Sequence, residues 1–382
     1  MRLSKRFLIG GLVVLVVLVS IAVIAIVTRG GDPATPAGDQ VTTLNCIGGD
    51  EKAALMADER VKRILRDKYD LGVDYQTMGS YNQVQLTTDF LKQRQTACLW
   101  PASASAQAVF EAQHRDAFAA YRAETVLQSP EVVYAGPQSS DALIRAGIVS
   151  ERDGTHLVID MNALVDYALR GETWEALKAG NLVGPVAISS SDPAKSNSGF
   201  VLYQLMLAMA TDNIYQAPSV QQARAVLPAI RQLYDAQGLQ ARGSGAGFKQ
   251  WQLQGGEARA PLYAGYENQI IEEWLESTPA DRKELLDRVR VLYPEPTLYS
   301  DHPILALTAD AGHLIDAMKD RDIQKIAWAD YGFRSGVDTS ISNVSDFAEL
   351  PLAQQFRITT PPNADVTMLL LGCLLKAEDC GG

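Results

Sequence analysis

The sequence has few of the residues that carry covalent or metal chemistry. Its four histidines, His114, His156, His302 and His313, show no H-E-x-x-H or other ligand spacing, so a metal hydrolase has no support. Neither a G-x-S-x-G elbow nor an S-x-x-K pair occurs. Four cysteines are present and none forms C-x-x-C, which argues against a zinc knuckle or a redox motif. The GSGAG run at 243–247 departs from G-x-G-x-x-G and reads as a loop, not a nucleotide cradle. Net charge is -11, with 34 basic against 45 acidic residues and no basic cluster interleaved with aromatics. Nucleic acid is therefore not an expected partner. No enzyme, catalytic residue, metal or cofactor is expected on these grounds.

What is present begins with an uncharged run, 7–27, that starts at Phe7, ends at Val27 and is long enough to cross a bilayer as one helix. Arg2, Lys5 and Arg6 precede it, which keeps a basic tail, 1–6, in the cytoplasm and exports the rest. Thr28-Arg29-Gly30-Gly31 supplies no good small-x-small cleavage site, so an uncleaved signal anchor in the cytoplasmic membrane is expected, followed by a flexible linker at 28–40. Export places the cysteines where disulfides persist, and a Cys373–Cys380 bridge is expected. Cys46 and Cys98 each lie in an apolar strand candidate and are either paired or two buried thiols.

From residue 41 short apolar runs alternate with helical periodicity: strands at 41–46, 71–77 and 97–101, and helices at 50–68, 88–95 and from Ser103 onward. This pattern predicts a mainly parallel sheet covered on both faces. Ligands of such sheets sit beyond the carboxyl ends of the strands, which nominates Gly48, Gly49, Ser80, Ser103 and Ser105. Each is also ordinary turn or cap chemistry when taken alone. Further on, 219–235 reads as a helix kinked by Pro228, 258–263 as a short strand, and 311–328 as a helix packing back on the first domain.

The stretch 186–210, VAISSSDPAKSNSGFVLYQLMLAMA, reads as strand, polar loop and helix, with hydroxyls and free N–H groups at the positive end of the helix dipole. Its Asp192-Pro193-Ala194-Lys195-Ser196-Asn197-Ser198-Gly199 resembles the D-P-x-x-S-x-S-G loop of bacterial extracellular solute-binding proteins, in the class of the molybdate, sulfate and iron binders. Gly171-Glu172-Thr173-Trp174, Tyr266-Glu267-Asn268-Gln269, and Leu292-Tyr293-Pro294-Glu295-Pro296 with His302-Pro303 agree in order and spacing. The resemblance covers most of the chain after residue 40. It implies an α/β fold of two Rossmann-like open-sheet lobes joined by a hinge, the type II periplasmic-binding-protein fold. Lobe I would comprise 41–130 and 294–382, and lobe II 131–293. Ligand contacts would come from Lys195, Ser196, Asn197 and Ser198, with Tyr266 and Glu267 closing the cleft. The implied function is closure over a small polar solute or oxyanion for an ABC-type permease. The alternative is a cell-envelope sensor or protein-interaction module that keeps the same fold.

Overall fold

A computed structural model describes residues 41–381 apart from 213, 214 and 239. The expected membrane span at 7–27 lies outside the described residues. Among those described, no helix is long and apolar enough to cross a membrane.

The strands are β1 (Thr42–Gly48), β2 (Leu71–Thr77), β3 (Thr96–Trp100), β4 (Arg122–Ala135), β5 (Val149–Arg152), β6 (His156–Asp160), β7 (Ile188–Ser189), β8 (Leu262–Tyr266), β9 (Arg290–Glu295), β10 (Tyr299–Ala306) and β11 (Arg334–Ser335). They build a mixed α/β molecule of two lobes. In the first lobe β1 lies parallel between β2 and β3, while β10 pairs antiparallel with β3 and with the first half of β4. In the second lobe the other half of β4 lies antiparallel between β8 and β9, β9 pairs parallel with β6, and β7 pairs parallel with β8.

The long strand β4 thus serves both sheets. Pro130 pairs with Tyr299 of β10, and the next residue, Glu131, pairs with Tyr266 of β8. The chain returns from β9 to β10 beside it, so two adjacent segments carry every covalent crossing up to that point. That is hinge topology. It also explains why the sheets are mixed where alternation of strands and helices predicts mainly parallel ones: a strand that crosses between lobes and its return must run in opposite directions.

Four other expectations differ. Helix 50–68 is broken at Asp58, whose backbone is extended and whose carboxylate accepts from Arg60 N at 2.7 Å, a local cap that starts Glu59–Tyr69 anew. The GSGAG run opens a helix, Ser244–Leu253, because Phe248 and Trp251 are buried and packing overrides glycine's poor propensity. The short strand begins at Leu262, and 311–328 is two helices, Ala309–Met318 and Arg321–Tyr331. The carboxyl-terminal helix Ala364–Leu375 packs against both Ala104–His114 of the first lobe and Val220–Ala236 of the second.

Cys373 and Cys380 are bridged at the end of that helix, and Cys46 and Cys98 are bridged as register partners on β1 and β3. The helix Asn197–Ala210 is buried from Asn197 to Met209, which accounts for its apolar residues on every side. It anchors the core of the second lobe and aims its amino end at the first.

Candidate functional site

The carboxyl ends of β1, β2 and β3 face the amino end of helix Asn197–Ala210, and the polar residues between them are buried. Ser80, Ser103, Ser105, Ser196, Asn197, Ser198 and Tyr266 are each no more than 5% exposed. Asn197 makes the crossing contacts. Its Nδ2 donates to the carbonyl of Ala102 at 3.0 Å, to the Tyr266 hydroxyl at 3.0 Å and to Ser300 Oγ at 3.3 Å. Ala102 in turn donates its N–H to Ser80 Oγ at 2.9 Å, so Ser80 and Asn197, from opposite lobes, hold the two backbone polar groups of one residue. A carbonyl can only accept, which fixes the Asn197 amide with its nitrogen toward Ala102 and leaves Oδ1 free of partners. Tyr81 adds a second crossing, through Gln204 Nε2 at 3.3 Å and the Phe200 ring at 4.3 Å, and its hydroxyl lies 3.4 Å from Ser103 Oγ.

The other predicted residues are placed differently. The Ser198 and Ser196 hydroxyls join those of Ser191 and Ser244 in a closed ring: Ser191 to Ser196 at 2.7 Å, Ser191 to Ser198 at 2.7 Å, Ser198 to Ser244 at 3.1 Å, and Ser244 back to Ser196. Ser191 rather than Ser196 caps the helix, accepting from Gly199 N at 3.0 Å. Lys195 is exposed and paired with Asp192 at 2.6 Å. Glu267 is fully buried with both oxygens engaged, by Arg334 Nε and Nη2 at 2.7 Å each and by the Tyr293 hydroxyl. Gly48 and Gly49 are small because the Tyr75 hydroxyl and the Glu51 carboxylate fold onto them.

Three groups that sequence reasoning missed complete the site. Glu51 and Lys52 follow Gly49 into the interior and are ion-paired there, with Lys52 Nζ 3.2 Å from His302 Nδ1. The Lys52 ammonium lies 5.7 Å from the centre of the Trp100 ring. Lys52 keeps the Glu51 carboxyl well below its usual range despite complete burial, while burial lowers the Lys52 ammonium in spite of Glu51. His302 is pushed down to about 4 by burial and by Lys52, and stays neutral. Its Nε2 is buried without a partner among the described residues, and its ring meets that of Tyr266 edge-on with centroids 6.0 Å apart.

The third is Glu131, the residue at which β4 changes sheets. It is fully buried, neither oxygen has a partner among the described residues, and burial raises its carboxyl well above the ordinary range. As the register partner of Tyr266 its side chain shares that tyrosine's face of the sheet. Burial, then Glu51 and Glu131, raise the Tyr266 phenol too, so it remains a neutral hydroxyl. A sequence signal for Glu131 existed: one acid inside the otherwise uncharged run TVLQSPEVVYAG. Among the described residues no group of three His, Cys, Asp or Glu is arranged to hold a metal ion.

Two α/β lobes on a double hinge, with Asn197 of the second bonding across to the first, define the fold. Comparison with solved structures gives that fold its particular form, the type II periplasmic-binding-protein fold. Apo ferric ion-binding protein A of Pasteurella haemolytica superimposes with a TM-score of 0.55 at 11% identity, over 88% of this chain and 97% of that one. Apo FutA2 of Synechocystis PCC6803 gives 0.52 at 11% identity, over 90% and 99%. The periplasmic binding protein AfuA of Actinobacillus pleuropneumoniae, holding fructose-6-phosphate, gives 0.51 at 13%, over 86% and 96%. No protein-family model and no curated protein matches the chain.

Proposed function

We propose that this protein is an extracytoplasmic solute-binding protein, held to the cytoplasmic membrane by residues 7–27, that closes its lobes over a small polar solute and delivers it to an ABC-type permease. The observation that carries the reading is that Asn197 of the second lobe bonds Ala102 and Ser300 of the first and also the Tyr266 hydroxyl, with Glu131 of the hinge the register partner of Tyr266. Buried polar atoms without partners are costly, and a solute that completes them is favoured in the closed form. The kinship of fold to binding proteins supports a non-enzymatic role.

A second reading, a cell-envelope sensor or interaction module, is favoured by the ring of Ser191, Ser196, Ser198 and Ser244, whose hydroxyls satisfy one another. One experiment separates the two. Full-length protein is screened by thermal unfolding against oxyanions, sugars, amino acids, amines and metal ions. Solute binding predicts that one class raises stability with the logarithm of concentration, by about 2.7 kcal/mol at a hundred times Kd, and that Asn197→Ala removes the shift. A flat response to every class contradicts solute binding and leaves the sensor reading.

A further inference from the structure

The identity of the unpartnered atoms narrows the solute, given the reading of the site above. Asn197 Oδ1 is an acceptor and the Glu131 carboxylate becomes one when ionised; both are buried and unpaired around a tyrosine that already receives from Asn197, while His302 Nε2 beside the same ring is an unpaired donor. A solute with acceptors alone would leave the Asn197 and Glu131 oxygens unpaired, at the full cost of desolvating each. Charge points the same way. Glu51 and Glu131 both act electrostatically on the Tyr266 hydroxyl, and Glu272, on helix Glu267–Glu276, lies within electrostatic reach of Glu51. Burial pushes the Glu272 carboxyl up to about 7. Against these three acids stands Lys52, which is spent on Glu51, while Arg334 is spent on Glu267. An oxyanion entering here would find no free cation among these groups, while an ammonium would draw the Glu131 carboxyl into its charged form.

We propose that the interlobe site takes a small solute bearing a protonated amine, whose N–H groups are received by Glu131 and the Asn197 carbonyl oxygen beside Tyr266. The ammonium supplies the positive charge that Glu131 has no residue to provide, and its N–H groups fill acceptors that sulfate would leave empty. Glu131 is thereby the specificity residue, placed on the hinge strand where its pairing with the solute also favours the closed arrangement.

The test is isothermal calorimetry on full-length protein with four probes: methylammonium, 1,4-diaminobutane, sulfate and myo-inositol. The proposal expects heat of binding from an amine and none from sulfate or myo-inositol. It also expects Glu131→Gln to fold with at least the parental stability, since a buried ionisable group is gone, yet to bind the amine roughly 10- to 100-fold more weakly. A purely structural Glu131 would change stability and leave the affinity alone. Binding of sulfate or myo-inositol with inert amines overturns the amine assignment and leaves the solute-binding reading standing. Amine binding that survives Glu131→Gln overturns the role of Glu131. Silence from all four probes overturns the amine assignment, and the wider solute screen then decides whether the site binds solutes at all.

Discussion

Arg334→Met is expected to lower the unfolding free energy by about 3–5 kcal/mol, because it removes one partner of a buried ion pair and leaves the other charged and unpaired. Arg334 is 5% exposed and Glu267 is fully buried, and they meet in a bidentate contact at 2.7 Å on each arm. The same guanidinium also donates to the carbonyls of Ala353 and Gln354, so the loss strands two further acceptors. The pair joins β11, on the first lobe's sheet, to the first turn of helix Glu267–Glu276 in the second. Urea unfolding of parent and variant measures the effect. Adding Glu267→Leu to Arg334→Met should restore much of the loss, since the orphaned charge disappears. A single-variant loss below about 1 kcal/mol would mean that water reaches the pair and that it behaves as a surface contact.

Gly79→Ala should act on the lobes' approach rather than on their folding. A Cβ at 79 would collide with the backbone carbonyl oxygen of Lys195, which belongs to the opposite lobe. Backbone cannot rotate away as a side chain can, so the closed arrangement loses about 1–3 kcal/mol and the affinity for a stabilising solute falls roughly 5- to 150-fold. Gly199→Ala is the counterpart, because its Cβ would strike the Ser191 carbonyl within the same lobe. That variant should lose stability to urea without any solute present. If Gly79→Ala binds solute as the parent does, the contact at Lys195 is not part of the closed, solute-holding form.

These two cases also mark what the sequence discloses and what it hides. The loop from Asp192 to Gly199 and the helix after it were legible, since both the 3.6-residue periodicity and the polar break are local signals. Their roles were not. Ser198 and Asn197 were both expected to touch the ligand, yet the Ser198 hydroxyl is spent on Ser191 and Ser244, while Asn197 makes the reach across the cleft. Which of two adjacent polar residues points outward depends on helix phase at the cap, and ±1 residue in the start of a helix reverses the answer. Lys52 and His302 are 250 positions apart, and their meeting depends on β10 lying beside β3 and β4, a pairing no short window contains. Glu267 stands in a motif that suggested a ligand contact, and its partner Arg334 is on a two-residue strand with no pattern to announce it. Glu131 was visible as one acid in an apolar hinge strand, but only the fold shows that no cation among the described residues pairs with it.

The central claim is that the two lobes form a hinged cleft which a small solute closes. The most direct measurement is the distance between spin labels placed one on each lobe, at Arg63→Cys and Val183→Cys, both exposed positions in a chain whose four native cysteines are all in disulfides. Pulsed dipolar spectroscopy on full-length protein would be recorded without solute, with the solute that stabilises it in the thermal screen, and in Gly79→Ala. The account predicts a longer-distance population that solute converts to the shorter one, and that Gly79→Ala keeps in excess at the same solute concentration. A single distance, unchanged by a solute that stabilises the protein and by Gly79→Ala, would contradict it.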